Sequence, residues 1–182
     1  MYAAKSLKAY LDDLAAKKPA PGGGSAAALA GAAGCALLSM VCNYTIGKEK
    51  YKSAEKKING ILKQSERLRK RFLALVDLDV QAYRKVFNSR KGGPHIYQRN
   101  LLYATRVPLE ICALAVEGYK FCPVLIRRAN KYLISDVYAA KELLKSCFKC
   151  GEFNVIINFP RIKDKKFISQ TKRIIHALKK SL

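Results

Sequence analysis

From Pro19 to Gly47 the chain carries no charged side chain, in a protein of 182 residues that holds 35 Lys and Arg against 13 Asp and Glu. The stretch opens on Pro19-Ala20-Pro21-Gly22-Gly23-Gly24-Ser25 and runs on as Ala26-Ala27-Ala28-Leu29-Ala30-Gly31-Ala32-Ala33-Gly34. Two prolines and three glycines forbid a regular element. Ser25 then stands where a helix N-cap belongs, its hydroxyl placed to accept from amides two or three residues on. A glycine run feeding a helix start leaves backbone N–H groups aimed at one spot, with the positive end of the helix dipole behind them. That is a place for an anion or a carbonyl oxygen. The small side chains beyond it let a second helix approach closely. One segment thus predicts a ligand cradle on Gly22, Gly23, Gly24 and Ser25, and a tight helix–helix seam.

An uncharged run of this length also raises the question of a membrane span. Its Ala, Gly and Ser content and its Asn43 make it weakly hydrophobic, so a buried central helix of a soluble bundle is expected and membrane attachment is not. Half the residues are apolar, enough for a core, and residues 1–182 are expected to form a single domain. The net charge of +22 attracts polyanions, whether nucleic acid, an anionic membrane or a polyacidic small molecule, without choosing among them. Near the N-terminus, Lys5 and Lys8 precede Asp12 and Asp13 rather than an apolar segment. A cytoplasmic location with six reduced cysteines is the expectation. Cys147-x-x-Cys150 lacks a second pair or a neighbouring His and reads as packing, and no metal site is predicted.

Leu7, Tyr10, Leu11 and Leu14 predict a short amphipathic helix over 6–16. The small-residue helix follows over 25–45, stopped by Gly47. A long helix over 50–87 carries the stripe Ile58, Ile61, Leu62, Leu68, Phe72, Leu75, Val76, Ala82, Tyr83 and Val86. Lys91-Gly92-Gly93-Pro94 breaks the chain. Further helices are expected over 96–117, with Pro108 a kink or junction, over 124–130, over 136–150 with Ser135 as cap, and over 163–180. The β-branched run 153–159 suits a strand, but a lone strand has nothing to pair with, and it is read as helical. The fold class is all-α, a single-domain bundle of long antiparallel helices.

Polar residues on apolar stripes carry the functional signal. Asp79 continues the line through Phe72 and Leu75 toward Ala82 and Val86, whereas Asp77 points roughly opposite. A desolvated carboxylate there has its pKa raised toward neutrality and suits general acid–base work; a buried hydrogen bond or salt bridge is the alternative. Asn43 follows Leu29, Ala33, Ala36 and Met40 at three-four spacing, placed either for a ligand or for an interhelical bond. Asp136, after Ser135, complements a helix dipole. Asn154 and Asn158 lie four apart, on one helical face, where two amides can meet the edge of a heterocycle.

These segments resemble the cyclodeaminase/cyclohydrolase family, which includes the cyclodeaminase part of formiminotransferase-cyclodeaminase and stand-alone methenyltetrahydrofolate cyclohydrolases. The resemblance rests on Pro21-Gly22-Gly23-Gly24-Ser25-Ala26-Ala27-Ala28-Leu29-Ala30-Gly31, Val41-Cys42-Asn43-Tyr44-Thr45-Ile46-Gly47-Lys48 and Leu75-Val76-Asp77-Leu78-Asp79. It continues through Ala104-Thr105-Arg106-Val107-Pro108-Leu109-Glu110, Ser135-Asp136-Val137 and Asn154-Val155-Ile156-Ile157-Asn158, in family order over nearly the whole chain.

The resemblance implies an all-helical homodimer with its folate site at or near the subunit contact. It implies one of two reactions: cyclising 5-formimidoyltetrahydrofolate to 5,10-methenyltetrahydrofolate with loss of ammonia, or hydrolysing 5,10-methenyltetrahydrofolate to 10-formyltetrahydrofolate. The tetrahydrofolate derivative is the substrate and no further cofactor is implied. Asp79 and Asp136 are then the candidate catalytic carboxylates. Asn43, Asn154 and Asn158 would orient the pterin or the one-carbon unit, and Ser25, Ser135 and the Gly22 to Gly24 amides would hold polar ligand atoms. Lys48 is a candidate to pair with a folate carboxylate. The chain departs from the family pattern in the short basic region 88–100 and in Lys131-Tyr132, which stands where Pro-Asn is usual. The high charge has two readings, attraction of polyglutamylated folate and a general lysine bias. From another class comes the alternative of a non-catalytic protein of this fold that binds a polyanion such as nucleic acid.

Overall fold

The computed structural model describes residues 1–89 and 92–182, and every regular element among them is helical. Seven α-helices follow one another: α1 (Leu7–Ala15), α2 (Gly23–Asn43), α3 (Glu55–Asn88), α4 (Pro94–Tyr119), α5 (Cys122–Arg128), α6 (Ile134–Ile156) and α7 (Lys165–Lys179). Short 3-10 turns lie at Tyr2–Ala4, Glu49–Ala54, Lys131–Leu133 and Phe159–Arg161.

Four long helices make the core, each antiparallel to its two neighbours. Along α2 and α3, Gly24 meets Asp79, Gly31 meets Phe72 and Ser39 bonds Ser65 through their hydroxyls at 3.0 Å, so the residue numbers run in opposite senses. Along α2 and α6, Gly23 meets Asn154 and Gly34 meets Leu144. α4 closes the ring: Arg71 on α3 pairs with Glu110 at 2.6 Å, while Gly151 and Leu144 on α6 lie against Cys112 and Gly118. The glycines are what permit this spacing. A Cβ on Gly31 would sit 2.6 Å from the Phe72 ring, where Phe72 itself is fully buried.

α5 and the turn after it close one end of the bundle, tied to the end of α2 by the Asn130 N–H donating to Thr45 Oγ1 at 3.0 Å. α1 closes the other end, beside the start of α2. α7 lies outside α4 and α6, held by Lys179 on the 7% exposed Glu152 and by Arg106 over the Phe167 ring. Among the described residues α2 is the one helix long and apolar enough to cross a membrane, and 61% of its apolar window is buried within the bundle.

Several expectations need correction. α2 begins at Gly23 with Gly22 as N-cap, not Ser25, because Ser25 is wholly buried inside the first turn. The stripe Leu29, Ala33, Ala36, Met40 and Asn43 faces outward rather than inward: α2 packs on both α3 and α6, and its buried arc runs instead through Ala28, Gly31, Cys35, Leu38 and Cys42. In a helix with apolar residues on every side, periodicity does not say which side is inside. Asp77, expected to point away, is 6% exposed and accepts the backbone N–H groups of Tyr2 and Ala3, pinning the N-terminal segment to α3.

α4 runs unbroken through Pro108, which is therefore no junction. Ser135 does not cap α6, which starts at Ile134, two residues earlier than expected, with Leu133 at the cap position, and α6 continues past Cys150 to absorb Asn154. The helical reading of 153–159 holds as far as Ile156, where a turn and the Phe159–Arg161 3-10 segment take over. Part of the expected break at Lys91 lies outside the described residues. Its glycine at 93 has φ 90°, and Pro94 starts α4. Cys147 is a core residue as expected, while Cys150 is exposed.

Candidate functional site

The start of α2 lacks the side chain that would ordinarily cap it, so its free amides look elsewhere. Asp79 of α3 supplies the acceptor: the Ser25 backbone N–H donates to its carboxylate. Only glycine allows that approach, since a Cβ on Gly24 would lie 2.6 Å from Asp79 Cγ. A Cβ on Gly23 would likewise lie 3.2 Å from Asn154 Nδ2. The glycine run therefore serves close approach by side chains from two neighbouring helices. The Ser25 hydroxyl turns the other way and shares a 3.1 Å hydrogen bond with the buried Tyr10 hydroxyl of α1, which fixes the helix start from behind.

A cavity of about 320 Å³ opens at this end of the bundle. Gly22, Gly23 and Gly24 line its base. One wall is the α3 ladder Asp79, Tyr83 and Phe87, and the opposite wall carries Asn154, Asn158 and Arg161. Ala104 and Pro108 of α4 form the back. Pro108 has no N–H to give the Ala104 carbonyl four residues before it, so the helix interior loses a hydrogen bond at the cavity wall.

Asp79 is partly buried, and withdrawal of its carboxyl from water raises its pKa from 3.8 to about 6; the Ser25 N–H opposes this by favouring the charged form. A carboxyl held there exchanges protons readily near neutrality, where an ordinary Asp is fully ionised. Across the cavity, Asn154 spends its amide N–H on the Cys150 carbonyl at 2.8 Å, and Arg161 donates to Asn158 Oδ1 at 2.8 Å. The arrangement combines a proton donor–acceptor, a base with the positive end of a helix dipole, and oriented amides.

Of the residues singled out from sequence, Gly22, Gly23, Gly24, Asp79, Asn154 and Asn158 come together here, with Ser25 directly behind. Asn43, Lys48, Ser135 and Asp136 do not. Asn43 lies nineteen residues along α2 from Gly24, about 28 Å at 1.5 Å per residue. Asp136 lies a similar length of α6 from Asn154, about 27 Å. Both helices carry these residues to the same far end, where Asn43, Lys48 and Ser135 are exposed and Asp136 partly so.

Sequence reasoning missed Arg161, Phe87, Ala104 and Tyr10, and it placed Tyr83 in the core, whereas Tyr83 is 43% exposed on the cavity. The i, i+4, i+8 spacing of Asp79, Tyr83 and Phe87 is a readable signal. Nothing in sequence ties Tyr10 to Ser25.

Comparison with known proteins identifies the family and the fold. The profile of the formiminotransferase-cyclodeaminase family matches residues 6–177. A methenyltetrahydrofolate cyclohydrolase of Methylorubrum extorquens is 32% identical over 96% of this chain and 88% of its own length. The formimidoyltransferase-cyclodeaminase of Rattus norvegicus is 27% identical over 95% of this chain, which spans only 34% of that larger protein. The crystal structure of a formiminotetrahydrofolate cyclodeaminase from Thermotoga maritima superposes with a TM-score of 0.96 at 29% identity, covering 100% of this chain and 91% of that one. With a profile match over nearly its whole length and a bundle of the same shape, the chain belongs to the formiminotransferase-cyclodeaminase family.

Proposed function

We propose that this protein is an enzyme of folate one-carbon chemistry that opens or closes the methenyl bridge between two nitrogens of tetrahydrofolate. In cyclodeamination the aryl nitrogen attacks the formimino carbon and ammonia leaves; in cyclohydrolysis water attacks the methenyl carbon and one C–N bond breaks. Both routes pass through a tetrahedral carbon, and both require a proton taken from the nucleophile and one given to a nitrogen. Asp79 performs both transfers in turn, a role suited to a carboxyl whose pKa lies near 6. The Gly22 to Gly24 backbone receives a polar ligand atom, and Asn154 and Asn158 orient the ring system. The folate carries the reacting carbon itself, so no further cofactor takes part. The observation that carries the reading is the Asp79 carboxyl, drawn out of water beside a helix start that only glycine lets it reach.

The exposed face of α2 supports a homodimer. Ala26, Ala33, Ala36 and Met40 leave it without a single charge, in a chain of net charge +22. Two copies crossing there in opposite directions about Ala33 would bring position 43 of one beside position 23 of the other. Asn43, Lys48, Ser135 and Asp136 would then serve the partner's cavity, which accounts for their distance from the cavity of their own chain. Polyglutamylated folates suit the basic surface, and a cytoplasmic setting suits six free thiols.

The test is absorbance-monitored turnover with 5-formimidoyltetrahydrofolate and with 5,10-methenyltetrahydrofolate. Methenyl absorbance that appears with ammonia identifies the cyclodeaminase, and its accelerated loss identifies the cyclohydrolase. Silence on both from folded protein refutes the reading, and unchanged turnover in Asp79→Asn removes Asp79 from the proton transfers.

A further inference from the structure

Tyr10 is the one buried side chain of α1. Leu7 and Leu11 of the same helix are 63% and 49% exposed, so α1 has no broad apolar face to hold it in place. A phenylalanine at position 10 would fill the same space. What the hydroxyl adds is the 3.1 Å hydrogen bond to Ser25 Oγ, and Ser25 is the residue whose backbone N–H donates to Asp79. Tyr10 itself is absent from the cavity wall, so its route to the reacting centre runs through Ser25.

The ring of Tyr10 is braced in turn. Tyr2 meets it edge-on, with centroids 5.5 Å apart and planes at 84°. Tyr2 is fixed at both ends: its backbone N–H donates to the Asp77 carboxylate, and its hydroxyl bonds Asp13 at 3.0 Å. The Ala3 N–H adds a second bond to Asp77 at 3.2 Å. The contacts make a closed circuit from Asp77 through Tyr2, Tyr10 and Ser25 to Asp79. Its two ends lie two residues apart on one rigid helix, and it passes behind the start of α2.

Few titratable groups face Asp79. α2 carries no charge, α4 presents Ala104 and Pro108, and α6 presents Asn154. What remains is Tyr83 one turn along α3, Arg161 on the opposite wall, and Tyr10 behind Ser25. Burial raises the pKa of the Tyr10 phenol above 10.0, the Ser25 bond opposes this, and the Asp79 charge adds to it. Tyr10 therefore stays protonated over the range in which Asp79 titrates, and it acts by position.

Resting on the folate reading for the reaction that Asp79 serves, we infer that Tyr10 is a positioning residue: its hydroxyl holds Ser25 so that the Ser25 N–H stays aimed at the Asp79 carboxyl. The N-terminal segment is then part of the catalytic apparatus, although none of residues 1–18 lines the cavity. Loss of the hydroxyl leaves the carboxyl as buried as before but weakens the one bond that favours its charged form.

The test is Tyr10→Phe, which keeps the ring against Tyr2. With the folate that the wild type turns over, kcat should fall by about 3- to 10-fold and KM should stay within about 2-fold. The Asp79 carboxyl, followed by carbon-13 NMR and assigned by its loss in Asp79→Asn, should titrate about 0.5–1 pH unit higher than in the wild type. Ser25→Ala should give the same two changes, and the double variant should be no worse than the more affected single one. Folded Tyr10→Phe with kcat and the Asp79 titration both unchanged would overturn the positioning role while leaving the folate reaction standing, even if its Tm fell. Losses in the two single variants that add in the double variant would overturn the route through Ser25. A wild type silent on both folates, whose Asp79 still titrates higher in Tyr10→Phe, would remove the reaction and keep the coupling.

Discussion

Replacing Asp79 by Asn should make the protein more stable while removing its activity. Burial holds the Asp79 carboxyl near 6 in place of 3.8. The folded protein therefore binds a proton more readily than the unfolded chain between those values, and stability falls as pH rises through that window. At 1.36 kcal/mol per pKa unit, the cost of the charged form above pH 6 is about 3 kcal/mol. Because Asp79 keeps part of its surface on the cavity, water offsets some of that, and about 2 kcal/mol is the expected net figure. Asn keeps an oxygen for the Ser25 N–H and never ionises. For a chain of this length that difference is worth about 4–8 °C in Tm. Thermal melts of both proteins at one concentration, from pH 3.5 to 8, provide the assay. The curves should coincide near pH 3.5, separate between 4 and 6, and remain apart above. A variant equal to or less stable than wild type at pH 7 would refute the argument that Asp79 is held against its desolvation cost.

Three further outcomes follow from the same geometry. Gly24→Ala pushes a methyl into the Asp79 carboxyl, and kcat should fall by about 100-fold, since a displacement near 1 Å at a reacting group costs that much. Gly31→Ala meets the buried Phe72 ring two turns further along; it should cost about 1–3 kcal/mol in urea unfolding with KM nearly unchanged, which separates packing from site. Ala33→Glu puts a charge on the outward face of α2, and sedimentation is expected to show dimers of the wild type and monomers of the variant; a wild type that sediments as a monomer sinks the pairing reading.

The all-α class and most of the helix plan are legible in the order of residues, because apolar spacing, proline and glycine report local preference directly. Asp79 is legible for a related reason: it continues the Phe72, Leu75, Ala82 and Val86 stripe, where a carboxylate is conspicuous, whereas the burial of Asp77 off that stripe comes from the N-terminal segment packed against it. Asn43 misleads for the converse reason. α2 is apolar on all sides, so its spacing carries no information about which side the bundle covers. Its inward arc is chosen by α3 and α6, whose glycine contacts at Gly31 and Gly34 set the distances.

A glycine-rich helix start, a carboxylate on a buried stripe and a pair of amides one turn apart are all written into the residue order of one helical chain. What they do together is a matter of packing. The antiparallel bundle carries Asp79, 55 residues beyond Gly24, and Asn154, 130 beyond it, to the same helix end, while it carries Ser135 and Asp136 to the opposite end of the same helix. The physical reason is that a helix is rigid and long. Spacing along a chain fixes which face a residue takes, but which end of the bundle it reaches depends on the direction in which each helix packs.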